Sequence, residues 1–205
     1  MVDRKPIVIN LFGGPGAGKS TGAAFIFSQL KMAGVNAELI TEYAKDMVWQ
    51  SPAVLKDQIY VYGKQNHRIE RCADQVDVVV TDSPTLLSGY YFKGDEKTRR
   101  MLTDLIKHND EVSYDNRNYL VNRVKPYNPA GRYQTESEAD VVATQVGDFL
   151  DREGIEYKSV NGDIEGYMSI VDDVKAELGM AKPVERALAD EPDGVTPSDT
   201  DDQFN

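Results

Sequence analysis

The chain has 205 residues, 34 acidic and 23 basic side chains, a formal net charge of −11, 40% hydrophobic residues and a single cysteine. These values set one α/β domain with a substantial core as the prior, and the acidity argues against broad nonspecific binding to nucleic acid. Cys72 alone excludes an internal disulfide, His67 and His108 are too few to build a Cys/His metal site with it, and no apolar run approaches the roughly 20 residues of a membrane span, so a cytoplasmic protein without membrane contact is expected.

The first predicted element is a strand at residues 7–12, Ile-Val-Ile-Asn-Leu-Phe, whose continuous apolar character marks a strand buried on both faces. Directly after it come Gly13, Gly14, Pro15, Gly16, Ala17, Gly18, Lys19 and Ser20, then Thr21. The order is G-x-x-x-x-G-K-[ST] between a strand and a helix. Gly13, Gly16 and Gly18 let the backbone curl with its N–H groups facing inward. The helix at residues 21–33 aims its positive end at the same point. Lys19 is placed to reach β- and γ-phosphates and the Ser20 hydroxyl to bind Mg²⁺, so the segment is read as a nucleoside triphosphate site. Gly34 closes the helix.

A second strand is predicted at 37–41, ending at Glu42, then a short helical turn at 43–49 broken by Ser51-Pro52. Residues 53–75 read as one long helix carrying Gln58, Tyr62, Gln65 and Arg68 on one side, either an acceptor-reading face or an ordinary half-exposed one. The valine-rich segment 76–82 is the third strand and ends in Asp82. A helix at 95–108, a strand at 118–124, a polar loop at 126–133, a helix at 135–152 opened by the Thr135-Glu136-Ser137-Glu138 capping box, a strand at 155–160 and a helix at 164–178 complete the chain. The alternation predicts an α/β/α three-layer sandwich around a five-stranded, mainly parallel sheet. Residues 1–180 form that domain. Residues 181–205 form a tail with seven acids from Pro183 onward against Arg186 alone, without apolar periodicity, and the tail is expected to be disordered.

In such sheets the chemistry gathers beyond the carboxyl ends of the strands. Asp82 stands where an acid can hold Mg²⁺. Glu42 is a candidate to accept the proton of a hydroxyl acceptor, and Asp46, four residues on, shares its face if the turn is helical. Arg117, Arg123, Lys125 and Arg132 concentrate positive charge around the polar loop, which suits a lid that neutralises phosphoryl oxygens and excludes water, with Arg123 and Arg132 foremost. Trp49 and the Tyr90-Tyr91-Phe92 run can stack on a base, with core packing as their default.

The Gly13–Thr21 loop, Thr41-Glu42-Tyr43, Thr81-Asp82-Ser83-Pro84 and the 126–136 segment together resemble the P-loop NTPase kinases of nucleosides and nucleotides. The likeness is to the branch related to nicotinamide riboside kinases, often labelled AAA-type ATPase domains, and runs from about Pro6 to Leu178. Phage-encoded proteins, including kinases proposed for hydroxymethyluracil in DNA, are similar. The resemblance implies ATP, Mg²⁺ and a nucleoside, nucleotide or modified-base acceptor, a base at Glu42 and a lid arginine at Arg132. Asp82 is followed by Ser83-Pro84, not by the Arg-Ser of deoxyribonucleoside kinases. The alternative is a P-loop ATPase that switches a protein or nucleic-acid partner. Against it stand the absence of an Asn-Lys-x-Asp motif and of a second domain to move. If the tail is a passive appendage, deleting residues 183–205 should leave both melting temperature and activity unchanged, and a loss of either refutes that role.

Overall fold

The computed structural model describes residues 5–50, 52–127 and 135–180. Arg132, the side chain of Trp49 and the acidic tail lie outside them. Five strands, β1 (Ile7–Phe12), β2 (Ala37–Ile40), β3 (Val78–Thr81), β4 (Asp115–Asn122) and β5 (Lys158–Asn161), form one sheet in the order β2-β3-β1-β4-β5. Every pairing is parallel, so the sheet is wholly and not just mainly parallel. The helices are α1 (Lys19–Met32), α2 (Tyr43–Gln50), α3 (Gln58–Ala73), α4 (Leu87–Tyr91), α5 (Glu96–Ser113), α6 (Glu136–Arg152) and α7 (Ile164–Glu177).

Alternation along β1 divides the core. Ile7, Ile9 and Leu11 face one layer, where Ala23, Ile26 and Leu30 of α1 meet Ile170, Val171 and Val174 of α7. Val8 and Phe12 face the other. Phe12 packs with Leu86, Ile106, Val146, Phe149 and Leu150, and Val8 with Ile40, Ile69, Ala73 and Val79. Two helical layers therefore enclose the sheet, as the strand and helix alternation requires. No helix among the described residues is long and apolar enough to cross a membrane.

Several boundaries differ from expectation. The long helix at 53–75 is two elements: a 3₁₀ turn at Pro52–Lys56, then α3, whose start is set by the Asp57 carboxylate accepting the Tyr60 N–H at 3.0 Å. α4 was not foreseen, because a five-residue helix has no readable period. β4 begins at Asp115, three residues before the expected strand. Its first half is polar because it pairs only with β1 until Tyr119, where β5 joins. Arg117, counted with the lid bases, instead lies in this half and is tied to Asp115 at 2.6 Å and to Glu177.

Asp110, near the end of α5, accepts the Thr85 hydroxyl at 3.0 Å. Burial pushes its carboxyl up to about 7, with the Thr85 hydrogen bond pulling the other way. An unfolded aspartate releases its proton near 3.9. Between those two values the folded state holds more protons than the unfolded one, so stability falls as pH rises through that window. Asp110→Asn keeps an acceptor for Thr85 and removes the titration. We expect it to raise the melting temperature above that of the wild type near pH 8 and to leave it unchanged near pH 3, where the aspartate is protonated in both states.

Candidate active site

The loop after β1 is held by backbone and by one tyrosine. Gly18 is the residue before α1 and sits in the left-handed region at φ 100°; a Cβ there would come within 2.4 Å of the Tyr167 hydroxyl. One turn on, a Cβ on Gly22 would meet the Tyr167 ring at the same 2.4 Å. Tyr167 donates to the Gly18 carbonyl at 3.0 Å, so α7 buttresses both the loop and the start of α1. The sequence offered no signal for Tyr167 beyond an aromatic residue on an amphipathic helix.

Helices α3, α5, α6 and α7 each begin with a side chain accepting a backbone N–H: Asp57, Asp95, Thr135 and Asp163. The start of α1 has no such cap and no acid in its first turn. Its orphan N–H groups and positive dipole end are left for an anion. Lys19 lies over the same loop, donating to the carbonyls of Gly13 at 2.8 Å and Gly14 at 3.0 Å. Ser20 and Thr21 are exposed beside it.

The sheet register brings the acids to this point. Asn10 of β1 pairs with Thr81, and Ile40 of β2 with the same residue, so the loop, Glu42 and Asp82 leave three adjacent strands together. Asp82 is buried, and its Oδ1 has no hydrogen-bond partner among the described residues. The Glu42 carboxyl is pushed above the usual range, first by burial and then by the negative charge of Asp82, while Lys19 and Lys45 pull it back. Glu42, Asp82 and Lys19 therefore share one electrostatic site. A buried carboxylate oxygen without a partner fits a cation. No group of three His, Cys, Asp or Glu residues able to hold a metal occurs among the described residues. The arrangement suits Mg²⁺, which takes one or two protein oxygens and completes its shell with water and phosphate.

Helix α3 holds the two acidic strand ends in place. Gln65, buried at 2% exposure, accepts the Tyr43 N–H at 2.8 Å and reaches the Thr81 hydroxyl at 3.4 Å, next to Glu42 and Asp82 respectively. Arg68 donates to the Thr41 carbonyl at 3.2 Å and pairs with Asp46 at 2.5 Å, its guanidinium 5.0 Å from the Tyr43 ring. Tyr62 accepts from Asn109 at 2.7 Å, and Gln58 donates to the Leu55 carbonyl at 2.7 Å. The stripe read as a candidate acceptor face is thus largely spent on internal contacts.

On the other side of the loop, Arg123 follows β4 and packs into a cavity of about 370 Å³ lined by Gly14, Pro15 and α6. It pairs with Asp140 and, at 3.3 Å, with Glu136, while its Nη1 is buried without a hydrogen bond among the described residues. Tyr90 takes the default of core packing, 5.8 Å from Phe149 and donating to Gln145 at 2.9 Å. Tyr91 does not: it is 42% exposed with its ring 4.7 Å from that of Tyr90, and burial first, then the neighbouring Tyr90 and Glu42, push its phenol up to about 12.

A protein-family model described as an AAA domain matches residues 8–166. The chain belongs to that family. No curated protein matches it. Solved structures are similar in fold. Thymidylate kinase from Ehrlichia chaffeensis is 15% identical with a TM-score of 0.54, over 85% of this chain and 100% of that one. Deoxyadenosine kinase from M. mycoides with bound dCTP is 16% identical with a TM-score of 0.54, over 83% and 99%. A NadR protein in complex with NR is 14% identical with a TM-score of 0.59, over 89% of this chain and 54% of that one. At such identities these likenesses establish a shared P-loop kinase fold.

If Gln65 is the clamp between β2 and β3, Gln65→Leu leaves the Tyr43 N–H and the Thr81 hydroxyl without it. We expect a loss of about 1–3 kcal/mol in denaturant unfolding, and collapse of the hydrogen-exchange protection of the Tyr43 amide while the protein stays folded. Unchanged protection would remove Gln65 from this role.

Proposed function

We propose that the chain is an ATP- and Mg²⁺-dependent kinase. It transfers the γ-phosphoryl group to a hydroxyl or phosphate of a nucleoside, nucleotide or modified base, a class that includes hydroxymethyluracil in DNA. The observation that carries this reading is the uncapped start of α1 with Lys19 over it, facing Glu42 and Asp82. An anion site beside two carboxylates suits a donor phosphate meeting a protic acceptor. The names of two structural neighbours refer to thymidylate and deoxyadenosine, and the acceptor class is drawn by analogy with them.

The residues from Gly13 to Thr21 would receive the triphosphate, with backbone N–H groups on its oxygens. Lys19 would exchange the Gly13 and Gly14 carbonyls for phosphate oxygens, which are stronger acceptors because they are charged. Ser20 and Asp82 would hold Mg²⁺, whose charge, when bound, offsets that developing on the transferred group. Glu42 would accept the proton of the attacking hydroxyl as its oxygen bonds to the γ-phosphorus and the bond to the ADP oxygen breaks. A raised carboxyl is a better base near neutrality than an ordinary glutamate. Asp46 is committed to Arg68, so Glu42 is preferred as the base and Asp46 sets the neighbouring charge. Arg123, with one guanidinium nitrogen without a hydrogen bond among the described residues, would turn toward the transferred phosphoryl, and Arg132 would close over it. Tyr91 would form one wall of the acceptor site.

The test is an acceptor screen with labelled ATP over nucleosides, mononucleotides and DNA bearing hydroxymethyl bases. We expect a phosphorylated product from one of these classes, abolished by Lys19→Ala. Glu42→Gln should lower turnover by roughly 10²–10⁴-fold with ATP affinity little changed. Turnover of the wild type should fall with decreasing pH through a value above the ordinary glutamate range, and that limb should vanish in Glu42→Gln. Full activity of that variant would exclude Glu42 as base. Hydrolysis driven by a macromolecular partner, with no phosphorylated product, would favour the switch ATPase instead.

A further inference from the structure

Arg123 leaves β4 beside the phosphate loop, and its ion pairs join groups of unequal exposure. Its Nη2 faces two carboxylates of α6, Asp140 and, at 3.3 Å, Glu136. The guanidinium carbon lies 5.2 Å from the Tyr127 ring. The Arg123 side chain is 18% exposed, whereas those of Asp140 and Glu136 are 61% and 62% exposed. The arginine is therefore the desolvated partner. Its Nη1 is buried without a hydrogen bond among the described residues, so part of its donor set is unused.

The acids do not favour this arrangement by themselves. Glu136 and Asp140 stand four residues apart on one helix, where like charges repel. The positive end of α6 offsets part of that repulsion at Glu136, which lies in the first turn, and Arg123 offsets the rest. Helix α6 is also seated on the phosphate loop. A Cβ on Gly14 would come within 2.7 Å of the Ala139 carbonyl and 2.8 Å of the Ala143 Cβ. Ala139 and Ala143 bracket Asp140 in sequence, so the contact with the loop fixes where Asp140 stands. Gly14, Arg123 and Asp140 all line the cavity of about 370 Å³.

We propose that Asp140, assisted by Glu136, is a positioning residue that restrains Arg123 beside the phosphate loop until the γ-phosphate of a bound triphosphate competes for it. The inference rests on the kinase reading of the site. Carboxylate and phosphate oxygens are both charged acceptors that suit a guanidinium, so Arg123 exchanges one for the other without losing a partner. The released carboxylates are already mostly exposed and are hydrated at little cost. Breaking the ion pair still opposes the exchange, and a neutral residue at position 140 lowers that opposition. A diphosphate lacks the competing group and leaves Arg123 on Asp140. The arginine thus engages only while the group to be transferred is present.

Asp140→Asn keeps the shape of the side chain and removes its charge. The test measures binding of AMP-PNP, the β,γ-imido analogue of ATP, and of ADP to the full chain by calorimetry with Mg²⁺ present. We expect AMP-PNP to bind Asp140→Asn ~2–5-fold more tightly than the wild type, the range for an ion pair with exposed partners, and ADP affinity to be unchanged. In the Arg123→Gln background the same substitution should have no effect. In the wild type the Arg123 guanidinium NMR signals should shift with AMP-PNP and not with ADP, a readout that needs no substitution. Weaker or unchanged AMP-PNP binding by Asp140→Asn, or guanidinium signals that AMP-PNP leaves in place, overturns the proposal. An equal gain for ADP, or a gain that persists without Arg123, reduces the effect to general charge and overturns it too. In all these cases nucleotide still binds and the kinase reading stands. A wild type that binds neither nucleotide removes the kinase reading and this proposal with it.

Discussion

The unpaired start of α1 is the constraint around which this molecule is arranged. A helix that begins on a glycine in the left-handed region, without an acid in its first turn, leaves several N–H donors and a positive dipole end uncompensated. Other helices of the protein satisfy the same need with Asp or Thr. Holding such an end in place requires support from behind. Tyr167 supplies it by packing where Gly22 has no side chain and by hydrogen bonding to Gly18. The apolar contacts between α1 and α7 fix the tyrosine in turn.

The second requirement is that acids face this positive end without collapsing onto it. The parallel register sends β1, β3 and β2 out of the sheet side by side, and Gln65 ties the last two together. Burial and the negative charge of Asp82 hold the Glu42 carboxyl above its usual range, while Asp82 keeps an oxygen without a partner among the described residues. Both are unfavourable in isolation, and the cation and polyanion of the proposed function would offset them. The site is therefore organised for charge that the protein itself does not carry.

Much of this was legible beforehand. The phosphate loop declares itself because every position in it answers to a local need: glycine for the turn, lysine for charge, serine for a ligand. That Glu42 and Asp82 come out of the sheet beside this loop was legible because each follows a predicted strand of a parallel sheet. The readings left open or missed lie where local signals are weak or shared. The Gln58–Tyr62–Gln65 stripe has the spacing of a reading face, and the same spacing serves to pack a helix. Arg117 lies among lid residues in sequence, yet the parallel strand carries it to the other end of the sheet, beside Glu177. The polar start of β4 hid a strand, because its asparagines pair with Asn10 of β1 and not with an apolar layer.

The sequence by itself determined the order of strands and helices, the phosphate-binding loop and the identity of the acids near it. Periodicity and loop chemistry are properties of neighbouring residues and are readable in one dimension. The tertiary structure decided which groups meet: Tyr167 under the loop, Gln65 between the acidic strand ends, Asp46 taken by Arg68, and three asparagines from two strands joined in one amide chain. Each of these depends on contacts between residues far apart in the chain, whose proximity is set by sheet register and helix packing.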